Sequence, residues 1–157
     1  MAIREIVKVG HPVLRKKAAP VSKITKQLRK LVRDMQATME EAAGVGLAAP
    51  QVGVSLRLIV VAVGEENLVL FNPQIIEETG EDIDVEGCLS IPGLNGYVKR
   101  AAQVTVIGYD ERGKKVTLTA EGLLARALQH EIDHLDGILF VDRLIDPPEE
   151  EEEDQCE

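Results

Sequence analysis

The chain has 157 residues, 45% of them hydrophobic and 29% charged, which fits one globular domain with a real apolar core. No apolar run approaches the ~20 residues that span a bilayer, and Met1-Ala2-Ile3-Arg4-Glu5-Ile6 carries charge too early for a signal peptide, so a cytoplasmic, non-membrane protein is expected. The net charge of −9 argues against direct reading of nucleic acid, which needs a basic footprint.

The first histidine, His11, precedes Pro12 and reads as a surface residue. Residues 24–43 follow as an amphipathic helix, with Leu28, Leu31, Val32, Met35 and Met39 on one face and Gly44 as its stop. The two methionines read as core packing. The middle of the chain reads as β: Leu56 to Val63 is rich in branched residues, Val69 to Phe71 is short and apolar, and Val104 to Tyr109 alternates. Asp110-Glu111-Arg112-Gly113 reads as a turn, beyond which Val116, Leu118 and Ala120 complete a hairpin.

A second helix is expected from about Glu121 to Asp136, ending at Gly137. Arg126, Gln129, Asp133 and Asp136 form a polar stripe along it. Leu123, Leu124, Ala127, Leu128, Ile132 and Leu135 cover much of the rest, so most of this helix should be buried. His130 and His134 continue the Leu123–Ala127 row and Glu131 the Leu124–Leu128 row, which draws a carboxylate and two imidazoles toward the interior. One helix, a β-rich middle and a buried helix make an α+β fold. After Pro147-Pro148 comes the acidic run Glu149–Asp154. The division expected is a catalytic domain over 1–147 and a disordered acidic tail over 148–157.

Three segments carry chemistry. The first is His130-Glu131-Ile132-Asp133-His134: residues four apart on a helix are neighbours, so both imidazoles can reach one metal ion, with Glu131 beside its open side. A catalytic site needs a third protein ligand. Only 23 residues follow His134, none of them histidine, which turns the search upstream. There Glu86-Gly87-Cys88-Leu89-Ser90 offers a thiolate just before a turn-forming Ile91-Pro92-Gly93. A buried structural thiol and a Cys–His nucleophile pair are the alternatives for Cys88. Nothing points to export, so a Cys88–Cys156 disulfide is not expected. The third segment, Gly44-Val45-Gly46-Leu47-Ala48-Ala49-Pro50-Gln51, leaves room for a second backbone to approach. Read alone, it is a tight turn with Gln51 on the surface.

Taken together and in order, these segments resemble the signature set of the peptide deformylases: G-φ-G-φ-A-A-x-Q, E-G-C-φ-S and H-E-φ-D-H, φ being apolar. The similarity extends to Gly10-His11-Pro12-Val13-Leu14-Arg15 and Asp136-Gly137-Ile138-Leu139-Phe140, and so covers the chain to about Leu144. The resemblance implies small β-sheets around a central buried helix that carries the H-E-I-D-H motif. It implies a hydrolase that removes the N-formyl group from the N-terminal formylmethionine of new polypeptides and releases formate. By resemblance, Cys88, His130 and His134 bind one divalent metal, Fe²⁺ first, with Zn²⁺, Ni²⁺ or Co²⁺ able to replace it. Glu131 is then the acid–base residue, and the Gln51 side chain and the Leu89 backbone N–H stabilise the developing oxyanion. Val45, Gly46, Gly87, Leu123 and Ala127 bind substrate, with Arg126 at the pocket rim. The partners implied are N-formylmethionyl nascent peptides, met transiently at the ribosome. A metallopeptidase of the two-histidine helix type and a noncatalytic metal-binding module are the rival readings. Neither accounts for E-G-C-L-S together with Glu131 and Gln51.

Overall fold

The first helix exists to bury one face. In the computed structural model, which describes residues 2–148, α1 spans Lys26–Glu41, with Thr25 accepting a hydrogen bond from the Leu28 N–H as its N-cap. Leu31, Val32, Met35 and Met39 lie buried on the inward face. Its end differs from expectation. Ala43 takes the left-handed conformation (φ 59°), and the Ala43 and Gly44 N–H groups donate to the Glu40 and Met39 carbonyls in a Schellman motif. Gly44 serves another purpose, because a Cβ there would come within 2.8 Å of Leu89 Cδ1.

Among the described residues, eight strands follow: β1 (Gly46–Ala48), β2 (Leu58–Val63), β3 (Glu66–Thr79), β4 (Asp82–Cys88), β5 (Ile91–Arg100), β6 (Gln103–Tyr109), β7 (Lys115–Glu121) and β8 (Leu144–Ile145). They form two sheets, ordered β1-β2-β3-β6-β7 and β4-β5-β8, with every strand pair antiparallel. The expected β6–β7 hairpin is present, its turn held by the Asp110 carboxylate accepting from the Arg112 and Lys114 N–H groups. β3 runs far beyond the expected Val69–Phe71. Asn72 (φ 53°) and Pro73 interrupt its alternation, and a register shift between Phe71 and Gln74 absorbs them. The turn expected at Ile91-Pro92-Gly93 falls instead at Leu89-Ser90, so that Pro92 lies within a strand. It is tolerated because β8 pairs with β5 only at Tyr97 and Val98, leaving the edge at Pro92 without a partner that needs its N–H.

The second helix, α2, spans Gly122–Leu135 and stops at Asp136, followed by Gly137 at φ 75°. Leu128, Ile132 and Leu135 pack with Ile59, Val61, Leu70 and Val106 of the five-stranded sheet. The three-stranded sheet has its own cluster, where Ile91 and Val98 meet Leu14, Leu139 and Phe140. Two expectations for α2 need correction. Leu123, grouped with the buried residues, is 54% exposed, whereas Arg126 and Gln129 of the polar stripe are buried. Arg126 and Gln129 face the β4–β5 sheet and the link that follows it rather than solvent, and Gln129 exchanges hydrogen bonds with the Ala101 backbone. Asp136, at the end of the stripe, is exposed and pairs with Arg57. No described helix is long and apolar enough to cross a membrane. The acidic run and Cys156 lie outside the described residues.

Candidate active site

β1 and β4 are each the edge strand of their sheet, and both run along one pocket beside α2. The pocket encloses about 370 Å³, and its lining includes Val45, Gly46, Gln51, Gly87, Cys88, Leu89, Leu123, Ala127, His130 and Glu131. Thus every site residue expected from the sequence meets in one place except His134, which is buried and reaches Cys88. A larger cleft of about 670 Å³, lined by Arg29, Asn72 and Arg112 among others, includes none of these residues.

The helix brings the two imidazoles together with ring centroids 5.0 Å apart. The end of β4 brings Cys88 Sγ to 3.4 Å from His134 Nε2. One ligand atom from each of Cys88, His130 and His134 lies within 4.8 Å of the others. Metal bonds of ~2.3 Å to sulfur and ~2.1 Å to nitrogen at a tetrahedral angle place S and N roughly 3.6 Å apart, so the spacing fits a single ion. The donor chemistry agrees. Burial opposes protonation of His130, but Cys88 and Glu86 outweigh it and raise the imidazole to about 10. The groups around this imidazole thus favour positive charge at its position. Burial, followed by the nearby His130 and Arg100, keeps His134 well below its ordinary value, so that it stands ready as a neutral ligand.

Glu131 lies between the two histidines in sequence and is buried. Desolvation is the largest influence on its carboxyl and lifts it to about 7, suited to taking and returning a proton near neutral pH. Its Oε1 has no hydrogen-bond partner; among the described residues, the other buried side-chain atom in that position is His134 Nδ1. An orphaned carboxylate oxygen beside a Cys–His–His cluster is the arrangement expected where a reacting water is to be held. Gly46 makes room for it, since a Cβ there would meet Glu131 Oε2 at 2.6 Å.

Gln51 sits in the 3-10 turn Ala49–Val52 and is buried, contrary to the surface reading of its segment taken alone. Its Oε1 accepts from the Ala48 N–H at 2.9 Å, which turns Nε2 toward Ser90 Oγ (3.1 Å) and Cys88 Sγ (3.6 Å). The amide donor is thereby aimed at the cluster. Leu89 follows Cys88 in the turn and packs its half-buried side chain against the α1–β2 cluster. Val45 and Leu123 are exposed at the pocket, and Ala127 is buried in its wall.

Sequence reasoning assigned no role to Glu86 or Arg100. Glu86 Oε1 is 3.0 Å from His130 Nδ1, and Arg100 grips both of its carboxylate oxygens at 2.6 and 3.0 Å. Burial works against ionisation of Glu86, but hydrogen bonds from His130 and Arg100 prevail and hold the carboxyl well below its usual range. An ionised Glu86 can only accept, so His130 Nδ1 is the donor, and Nε2 is the nitrogen left to bind a metal once its proton is displaced. Period-two spacing from Cys88 was the available signal for Glu86. Arg100 had none.

A two-sheet α+β fold with one Cys–His–His cluster beside a buried carboxylate defines the class of single-metal hydrolases. Comparison with known proteins narrows it. A family model described as polypeptide deformylase matches residues 3–150. The peptide deformylase of Halothermothrix orenii is 58% identical over 147 residues, covering 92% of this chain and 96% of that protein. That of Desulfitobacterium hafniense is 57% identical over 143 residues, with 91% and 95% covered. Among solved structures, the Thermotoga maritima peptide deformylase superposes with a TM-score of 0.91 at 41% identity, covering 93% of this chain and all of that one. The chain belongs to the polypeptide deformylase family.

Proposed function

We propose that this enzyme removes the formyl group from N-terminal formylmethionine with a divalent metal held by Cys88, His130 and His134. The observation that carries this reading is the ligand cluster at the floor of one pocket, beside the unpartnered oxygen of buried Glu131. When bound, the ion supplies Lewis acidity, which activates a water near neutral pH and polarises a carbonyl. Glu131 takes the proton from the attacking water and delivers it to the departing amine, for which a carboxyl near 7 is poised. Gln51 Nε2 and the Leu89 N–H donate to the oxygen on which negative charge develops. One such donor typically contributes roughly 3–4 kcal/mol to the transition state. The products are formate and a peptide with a free amino terminus.

Val45, Leu123, Ala127 and the His130 ring provide an apolar wall for the methionine side chain. The edges of β1 at Gly46 and of β4 at Gly87 provide backbone groups with which a peptide can pair as a strand. Formyl is the smallest acyl group, so a close-fitting site rejects acetyl by steric clash rather than by the ~1–3 kcal/mol of a missing methylene. Fe²⁺ is the native ion in this reading, with Zn²⁺, Ni²⁺ and Co²⁺ able to replace it. The substrates are nascent chains met transiently at the ribosome in the cytoplasm, and residues 1–147 form the catalytic domain. Formate release from formyl-Met-Ala, run beside acetyl-Met-Ala and Met-Ala, tests the activity. Equal cleavage of the acetyl peptide, or release of alanine from the unblocked one, would refute formyl specificity.

A further inference from the structure

The apolar residues of α2 tie it to the five-stranded sheet through Leu128 and Ile132, while β4–β5 belongs to a separate cluster around Val98 and Phe140. Between these two cores the contact of α2 with β4–β5 is polar. The expected metal ligands are divided across it: Cys88 ends β4, and both histidines are on α2. Apolar packing is non-directional and permits sliding, whereas multidentate charge-assisted hydrogen bonds fix distance and angle.

Arg126 makes the most connections across this seam. Its guanidinium is buried. NH1 donates to Glu86 Oε2 at 2.7 Å and to the Val98 carbonyl at 3.1 Å. NH2 donates to the Asp82 carbonyl at 2.7 Å and to Asp82 Oδ2 at 3.3 Å. One side chain on the histidine helix thus holds both strands of the Cys88 hairpin and the carboxylate that orients His130. Arg100 grips Glu86 independently and is anchored by Asp133. Removing Arg126 therefore leaves Glu86 paired; what is lost is placement.

We infer that Arg126 is a positioning residue for the metal site, acting through Glu86 on His130 and through Asp82 and Val98 on the spacing between the Cys88 strand and the histidine helix. The inference rests on the metal-site reading proposed above. Lysine cannot substitute, because one ammonium cannot serve acceptors on two strands in a fixed fork.

The test loads the parent enzyme, Arg126→Lys and Arg126→Met with Co²⁺. It follows cobalt loss into excess chelator, the cobalt–thiolate absorption spectrum, kcat and KM on formyl-Met-Ala, and thermal unfolding. Both variants should bind cobalt about 10–100-fold less tightly, the usual cost of an outer-shell substitution, and so lose it faster to the chelator. Their spectra should shift, and kcat should fall by a larger factor than KM rises. Loss rates and spectra within twofold of the parent, with only the unfolding temperature lowered, would make Arg126 merely structural and overturn the inference. So would full recovery of all readouts in Arg126→Lys. If Arg126→Met does not fold, Arg126→Lys decides by the same readouts. A parent that binds no cobalt overturns the proposed function and this inference with it; parent-like variants beside an active parent overturn the inference alone.

Discussion

At the scale of single residues, the proposed mechanism separates holding the metal from moving the proton. Glu131 is not among the three ligands, so Glu131→Ala should keep near-stoichiometric metal while turnover falls by about 10²–10⁴-fold, the usual worth of a positioned acid–base group. Metal analysis beside steady-state kinetics checks this, and a variant with close to normal turnover would remove Glu131 from its role. Gly46 bears on the same step. Its missing side chain is what lets the Glu131 carboxylate lie at 2.6 Å from a Cβ position. Gly46→Ala should displace that carboxylate and lower kcat by about 10²-fold with metal retained, since such losses follow from ~1 Å misplacements. Unchanged kcat would show that the carboxylate can move without consequence. Cys88 brings a third expectation. A thiolate beside Fe²⁺ is exposed to oxygen chemistry that Zn²⁺ does not support. The iron-loaded enzyme should lose deformylation in air within hours, faster than zinc- or nickel-loaded protein, with oxidation on the Cys88 peptide by mass. Equal rates for all three would refute a redox-active native ion.

At the scale of elements, α1 does more than fill the core, because it anchors the N-terminal arm. Buried Asp34 accepts from the Ala2 N–H at 2.9 Å and pairs with Arg4 at 3.0 Å, and the Arg4 N–H donates to Thr38 Oγ1. The Ala2 N–H is the largest influence on Asp34; burial opposes it, Arg4 and Lys30 assist it, and the carboxyl ends below its ordinary value. A depressed folded value means that its stabilisation is present above the unfolded value of about 3.9 and is lost as pH falls through the folded one. The unfolding-temperature gap between the parent and Asp34→Asn should therefore be widest above about pH 5 and close on acidification below about pH 4. A gap that stayed constant to pH 2 would show that Asp34 acts through shape rather than charge. The same logic of matched polar groups explains how α2 can bury Arg126 and Gln129 on the side of β4–β5, where hydrogen-bond partners offset the cost of desolvation.

At the scale of the whole molecule, the pocket exists because two edge strands from different sheets, β1 and β4, border one buried helix. Among the described residues, those that line this pocket fall between Ala43 and Glu131. Truncation after Pro147 should leave the thermal midpoint and kcat/KM on short formyl peptides unchanged, as expected for six consecutive carboxylates that offer nothing to a core. A clear fall in either would assign the tail a docking role.

The sequence by itself determined what is local. Residues four apart on one helix must be neighbours, so His130 and His134 were legible as a pair with Glu131 between them, and the 3.6-residue period marked both helices to within a few residues. The three signature segments put Cys88 and Gln51 forward as candidates, and the fold brings both to one pocket. Tertiary structure decided what depends on residues distant in the chain. Pro92 lies in a strand because β8 leaves its edge unpaired, and β3 continues past Pro73 because β6 accepts its bulge. Leu123 is exposed because its row opens on the pocket, and Arg126 is buried because Glu86, Asp82 and Val98 arrive from another sheet to receive it. Periodicity records that a side chain is polar; only the partner brought to it determines whether that polarity faces water or joins the interior.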